Sequence, residues 1–445
     1  MSKQQKKIQD YDPWYSFLRH YVDFALKLSY RSISYVGREN IPADGAIIYA
    51  PNHTNALMDA LVILAMDRSA KVFVARADIF KNPVFAKVLR FLKIMPIMRM
   101  RDGMDEVRKN NETIEKAVDV LRDRVPFCIF PEGTHQAKYS SLPLSKGIFR
   151  IAFAAKQMMP DMPLYIVPVG LRYGNFFRFR STVRVQVGEP IDVGAFRSDN
   201  ATMSEQEQIG ALKALLDARM KRTIFYIPND EDYDATYEIC AAVVKRQVRQ
   251  LGCDAEGRKL RGLEAHFEAN RLTVMQLSRL KERSPEVAGR LLQLGREASE
   301  LRHSRRISLS SVSVKYPLWS RLLMTLFMIV TLPYNLLASV LTLPINALCG
   351  WIFTKLKDHA FRNSVRYLAN LVLWPLLMVI YSVVAYVVLP WYWALPLTVV
   401  LLPAPIIAHE TWRLMRLMRS DVSLLLSSEL RHKYREIRHI LLGNR

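Results

Sequence analysis

The sequence predicts an α/β domain, then a helical insert, then a C-terminal α-helical membrane region, on three observations. Across the first 225 residues short apolar runs of strand length alternate with amphipathic helical patterns. Residues 230–300 are helical in pattern and mixed in charge. Residues 322–354 and 367–409 contain no Asp, Glu, Lys or Arg. Half of the 445 residues are hydrophobic, enough to bury a full core across two or three domains. The expected boundaries are 1–34 for an amphipathic N-terminal helix, 35–225 for the α/β domain, 226–315 for the helical insert or linker, and 316–445 for membrane hairpins with a basic cytoplasmic tail.

In the N-terminal segment Trp14, Phe17, Leu18, Tyr21, Val22, Ala25 and Leu28 share one helical face, with Arg19, Asp23, Lys27 and Arg31 on another. Such a helix lies in a membrane interface or docks on its own domain. The stretches GAIIYAP (45–51), KVFVAR (71–76), IMPIMR (94–99), VPFCIF (125–130), LYIVPVGL (164–171) and TVRVQVG (182–188) read as strands. Helical patterns at about 56–68, 79–91, 104–123 and 145–158 separate them, which gives a sheet covered by helices. In the insert, Ile239, Val243, Val244, Val248 and Leu251 recur at helical spacing, and nothing there suggests chemistry.

A bilayer core takes a helix of about 20 residues. The 33 uncharged residues of 322–354, interrupted by Pro333 and Pro344, read as a tilted span or a re-entrant hairpin. The 43 residues of 367–409 hold two crossings bent around Pro390. The segments beside them, 302–321, 355–366 and 410–445, carry 12 of the 22 excess positive charges. If all three face the cytoplasm, each apolar stretch enters and leaves on one side, and the α/β domain is cytoplasmic too. Trp351, Trp374, Trp391 and Trp393 sit where interfacial aromatics belong. Basic charge beside apolar segments suits anionic membrane lipids, and no zinc finger, RNA-recognition motif or helix-turn-helix pattern supports a nucleic-acid partner. The four cysteines, Cys128, Cys240, Cys253 and Cys349, form no CxxC pair or metal spacing, so a reducing compartment is expected. The first residues lack the apolar run of a signal peptide.

Three strand ends carry chemically capable residues. In PNHTNALMD, His53 and Asp59 point apart if both lie inside one helix. They meet only if His53 lies in the turn before the helix, where Thr54 or Asn55 would cap it. A carboxylate on Nδ1 then leaves Nε2 as a general base, although a lone His/Asp turn is more often structural. In FCIFPEGTHQ, Gly133 can adopt φ > 0 and bring backbone N–H groups to an anion. Lys146 and Gly147 open a helix whose dipole favours phosphate. IMPIMRMRDG places Arg99 and Arg101 at a third strand end.

NHTNALMD, FPEGTH, the SKG after it and IVPVGLRYG resemble, in order and spacing, the motif blocks of the glycerolphosphate and lysophosphatidic acid acyltransferase superfamily, the PlsC-like family, over roughly residues 35–195. The resemblance implies an acyl thioester donor, acyl-CoA or an acyl carrier protein, a glycerol 3-phosphate or 1-acylglycerol 3-phosphate acceptor, and neither metal nor prosthetic group. It makes His53 the base and Asp59 its orienting carboxylate. Asn55, Glu132, Gly133, Thr134 and Lys146 fall to acceptor binding, Arg99 and Arg101 to the basic end of the second block, and Pro168 to the VP turn of the fourth. The sequence departs from the family pattern in three places. Five residues rather than four separate His53 from Asp59, His135 stands where Arg is usual, which shifts phosphate contact toward Lys146 or Arg150, and the second block lacks its Gly and Phe pattern. The alternative reading is a catalytically inactive lipid-binding or membrane-shaping protein on the same fold.

Overall fold

A computed structural model of the chain describes residues 7–97, 105–253, 259–313, 318–356 and 358–443. It divides into two compact units, Met1–Ile224 with Leu356–Tyr367, and Phe225–Lys355 with Leu368–Arg445.

The first unit is built on a mixed eight-stranded sheet. The strands are β1 Tyr30–Val36, β2 Ala46–Pro51, β3 Val72–Arg76, β4 Ile94–Ile97, β5 Phe127–Cys128, β6 Leu164–Tyr173, β7 Ser181–Val187 and β8 Ile191–Asp192. Their order is β1-β7-β6-β2-β5-β3-β4, with β8 also paired to β6. Within the run β6-β2-β5-β3-β4 every pairing is parallel. Strands β7 and β8 are antiparallel to β6, and β1 is parallel to β7. The helices are α1 Pro13–Ser29, α2 Leu57–Leu64, α3 Pro83–Phe91, α4 Asp105–Arg122, α5 Gly147–Met158, α6 Val193–Asp199 and α7 Glu205–Thr223. Strands β2 and β6 are nearly continuous apolar runs because both faces are covered. Ile48, Phe127 and Ile166 share one core with Val118 and Leu121 of α4, Phe149 and Ala152 of α5, and Leu212 and Leu216 of α7.

All six expected strands form, with β5 cut to two residues. Strand β1 begins inside the segment expected to be the tail of the N-terminal helix, which ends at Ser29. The break is fixed by Arg180, whose amide donates to the Ser29 carbonyl and whose guanidinium donates to those of Leu28 and Tyr30. The faces of α1 also differ from expectation. Arg19, placed on the polar face, is buried and donates to the carbonyl of Leu64 at the end of α2 and to those of Asp67, Arg68 and Ser69 just beyond it. With Tyr15 and Leu26 it docks the helix on the domain, while Trp14, Phe17, Tyr21, Phe24 and Leu28 face outward. Pro168 is not in a turn but inside β6. Its missing N–H falls between the residues paired with β8, Tyr165 and Ile166, and those paired with β7, which begin at Val169.

The second unit is helical: α8 Tyr233–Leu251, α9 Gly262–Arg283, α10 Pro285–Ser304, α11 Leu309–Ser313, α12 Leu318–Val330, α13 Leu332–Leu341, α14 Leu343–Lys355, the part of α15 Phe361–Val388 from Leu368 on, α16 Trp391–Leu401, α17 Ala404–Leu426 and α18 Ser428–Leu442. The region expected as an insert does not close its own core, because Leu430, Tyr434 and Ile437 of α18 pack with Ile239, Val243, Leu291 and Leu294. Among the described residues one helix, α15, is long and apolar enough to cross a membrane, or up to three spans are, by length and composition, if each bent pair, α12 with α13 at 64° and α16 with α17 at 50°, is one. Interhelical polar contacts join the apolar helices: Thr411 Oγ1 donates to Asn335 Oδ1 at 2.9 Å and Tyr334 to the Val400 carbonyl at 2.8 Å. Trp374, expected at an interface, lies within α15 and donates its indole N–H to the Leu402 carbonyl.

A buried ionic node ties α8, α10 and α18. Glu238 accepts from Arg302 Nε at 2.9 Å through both carboxylate oxygens and from the Tyr434 hydroxyl at 2.5 Å. Removing the carboxylate leaves the guanidinium buried without its counter-charge, a loss of about 3–5 kcal/mol. Glu238→Ala is therefore expected to lower the unfolding midpoint of the detergent-solubilised protein far more than Glu286→Ala at an exposed position, and equal midpoints would contradict this role.

Candidate active site

His53 lies in the turn that follows β2, and Asp59 is the third residue of α2. Their side chains converge: His53 Nδ1 and Asp59 Oδ2 are 2.8 Å apart. The longer spacing is absorbed by the turn. The amides of Thr54 and Asn55 both donate to Asp59 Oδ2 at 2.7 Å, and Ala56 takes φ 45°, ψ −124° to admit the extra residue. An L-residue held at positive φ costs on the order of 1–2 kcal/mol, offset here by the hydrogen bonds that fold the turn onto the carboxylate. The expected side-chain cap by Thr54 or Asn55 is not made. No side chain caps the helix, because the Thr54 and Asn55 amides that Asp59 accepts lie ahead of its N-cap Ala56, and the buried Asn55 carboxamide and Thr54 hydroxyl have no partner among the described residues.

Asp59 Oδ1 accepts from the Tyr173 hydroxyl at 2.7 Å. A fully buried carboxylate already accepting two amides and a phenol is an acceptor toward the imidazole as well. The shared proton therefore sits on Nδ1, leaving the lone pair of Nε2 free to take another. The His53 ring is stacked on Phe130 at a centroid distance of 4.1 Å, which fixes its plane. Burial, reinforced by the Asp59 charge, pushes the Tyr173 phenol well up, so it remains a donor.

Glu132 does not project as a ligand. It is buried, its Oε2 accepting the His53 amide at 3.1 Å and its Oε1 the Leu142 amide at 3.3 Å, so it clamps the turn after β5 to the His53 loop. Gly133 adopts φ 64°, as its place in the turn suggested, and both it and Thr134 are exposed. Lys146 immediately precedes α5 and is exposed. Arg99 and Arg101 lie outside the described residues.

Several participants were not identified from sequence. Tyr173 sits in the fourth block but nothing local marks it as the partner of Asp59. Phe130 reads as an ordinary strand-end aromatic. The segment Leu356–Tyr367 belongs to this unit although it follows some 220 residues after His135. Asp358 Oδ2 lies 2.6 Å from His135 Nε2, the Phe361 ring meets the His135 ring edge-on at 5.3 Å, and Asn363 donates to the Tyr30 hydroxyl at 3.3 Å.

Burial pushes the Glu132 carboxyl up to about 7, against the pull of its two amide donors. The folded protein thus binds this proton more tightly than the unfolded chain, where Glu titrates near about 4.3. The stability it contributes is complete below the unfolded value and lost as pH rises to about 7. The thermal midpoint of the wild type is expected to fall more steeply than that of Glu132→Gln over this window; parallel profiles would contradict the assignment.

Residues 32–172 match the family model described as "Acyltransferase". Glycerol-3-phosphate O-acyltransferase 2 of Saccharomyces cerevisiae is 31% identical over 134 residues, 30% of this chain and 18% of the yeast protein. The 1-acyl-sn-glycerol-3-phosphate acyltransferase of Borreliella burgdorferi is 25% identical over 195 residues, 43% of this chain and 76% of that protein. The chain thus spans under a fifth of the yeast relative's length. The crystal structure of the 1-acyl-sn-glycerophosphate (LPA) acyltransferase PlsC from Thermotoga maritima, 21% identical and covering 47% of this chain and 80% of that one, aligns with a TM-score of 0.34, too loose an agreement to carry weight. Over residues 32–172 the chain is similar to the acyltransferase family, and the sequence blocks that resemble the PlsC-like superfamily begin inside that span.

Proposed function

We propose that this protein is a membrane-bound glycerolipid O-acyltransferase that moves a fatty acyl group from a thioester, acyl-CoA or acyl carrier protein, to the hydroxyl of glycerol 3-phosphate or 1-acylglycerol 3-phosphate. The observation that carries the reading is the 2.8 Å contact of His53 Nδ1 with Asp59, which leaves Nε2 as the base. His53 takes the acceptor hydroxyl proton as the oxygen attacks the thioester carbonyl. The new C–O ester bond forms, the C–S bond breaks, and the thiolate leaves with the proton returned from His53. Asp59 holds the ring and stabilises the transient imidazolium. Gly133, Thr134, Lys146 and the Arg99 and Arg101 segment supply amides and cations suited to the acceptor's phosphate, and Asn55 offers a buried carboxamide beside the base.

The relatives' names support phosphorylated glycerol acceptors. Membrane attachment is supported by the apolar helix α15 and by the outward stripe of Trp14, Phe17, Tyr21, Phe24 and Leu28 on α1. The basic segments beside the apolar helices favour a cytoplasmic site against anionic headgroups.

The test is purified full-length protein offered a labelled acyl thioester and both acceptors together, with products identified by mass spectrometry. Ester product is expected, and His53→Ala is expected to reduce kcat/KM by about 10²–10⁴-fold while leaving far-ultraviolet circular dichroism unchanged. Near-normal turnover in His53→Ala would overturn the mechanism, and absence of any new lipid from the wild type would favour a lipid-binding protein on the same fold.

A further inference from the structure

We infer that Asp358, which the sequence places between the apolar helices α14 and α15, is a positioning residue of the acceptor site and acts by orienting His135. The inference rests on the acyl-transfer reading above and adds to it the residue that aims the phosphate contact.

The geometry is that of a ring held on three sides. His135 Nε2 is 2.6 Å from Asp358 Oδ2, the Phe361 ring packs edge-on at 5.3 Å and 88°, and the His53 ring lies at 5.3 Å and 79°. Asp358 is itself set by the Ala360 amide, which donates to its Oδ1 at 2.8 Å. Two residues beyond Phe361, Asn363 donates to the Tyr30 hydroxyl, and the Tyr30 ring lies 6.1 Å from that of Tyr173, the phenol that holds Asp59. One short segment is therefore anchored beside both the base and its neighbour.

With Nε2 occupied, the ring nitrogen of His135 left for a ligand is Nδ1, which has no partner among the described residues. The side chains of His135 and Asp358 are 15% and 50% exposed. A polar contact open to water to that degree adds at most about 1 kcal/mol of stability, so its consequence is orientation rather than folding. Two adjacent imidazoles then divide the acceptor between them: His53 faces the hydroxyl, and His135, donating to the Asp358 carboxylate on one edge and to phosphate on the other, faces the anion. The chemistry recognised is a phosphate monoester on a short polyol.

The test is steady-state kinetics of the full-length protein with glycerol 3-phosphate and 1-acylglycerol 3-phosphate as varied acceptors. Asp358→Asn is expected to raise the acceptor KM about tenfold, the equivalent of about 1.4 kcal/mol, with kcat and the thioester KM about unchanged. Asp358→Glu should recover most of the loss, and in a His135→Ala background Asp358→Asn should add nothing. An unchanged acceptor KM, an equal change in kcat and both KM values, or the same loss without His135 would overturn the inference. If the wild type transfers no acyl group, the acyl-transfer reading fails on its own. Calorimetric titration with glycerol 3-phosphate then decides the inference, with tighter binding by wild type than by Asp358→Asn expected, and equal or absent binding overturning it.

Discussion

Asp59 accepts four hydrogen bonds while fully buried, from His53 Nδ1, the Thr54 and Asn55 amides, and the Tyr173 hydroxyl. Desolvating a carboxylate costs several kcal/mol unless its lone pairs are filled, so those donors must be present together. They come from different levels of the architecture. The imidazole and the two amides belong to a seven-residue loop and helix start, whereas Tyr173 is the last residue of β6 and reaches Asp59 only because β6 pairs with β2 in the observed register. Asn52 fixes that register where it matters, its carboxamide exchanging hydrogen bonds with the Leu171 main chain at 2.6 and 3.2 Å. Sheet pairing, turn conformation and the orientation of the His53 ring are thus one coupled arrangement, and the positive φ of Ala56 is the strain it tolerates.

The same coupling explains the behaviour of Glu132. A carboxylate in the turn after β5 looks like a ligand for a polar substrate, yet both its oxygens are engaged by main-chain amides, one of them that of His53. Its function is to hold two strand-end loops together. Gly133, Thr134 and Lys146, by contrast, are exposed.

Much of this was legible in the sequence where the signal is periodic or local. The central strands β2, β3 and β6 and helices α4 and α5 follow from apolar runs and amphipathic spacing, and the meeting of His53 and Asp59 follows from placing one in a turn and the other in a helix. Legibility fails where partners are distant. The first residues of strand β1 continue the amphipathic pattern of the N-terminal helix, whereas their strand state depends on β7 and on Arg180. The outward apolar stripe of α1 and its buried Arg19 reverse the usual sorting of side chains, since four carbonyls at and just beyond the end of α2 offer the guanidinium better partners than water. The link from Asp358 to His135 spans 223 positions and has no local signature. Nor does composition tell that α18 closes the core of α8 and α10 rather than trailing as a tail.

Nitrogen-15 NMR of histidine-labelled protein reports most directly on the central claim, that Asp59 fixes the tautomer of the base. With the His53 signals assigned by their loss in His53→Gln, the neutral ring is expected as the Nδ1–H tautomer with a bare Nε2. A neutral His53 protonated on Nε2, or one averaging between tautomers, would contradict the account.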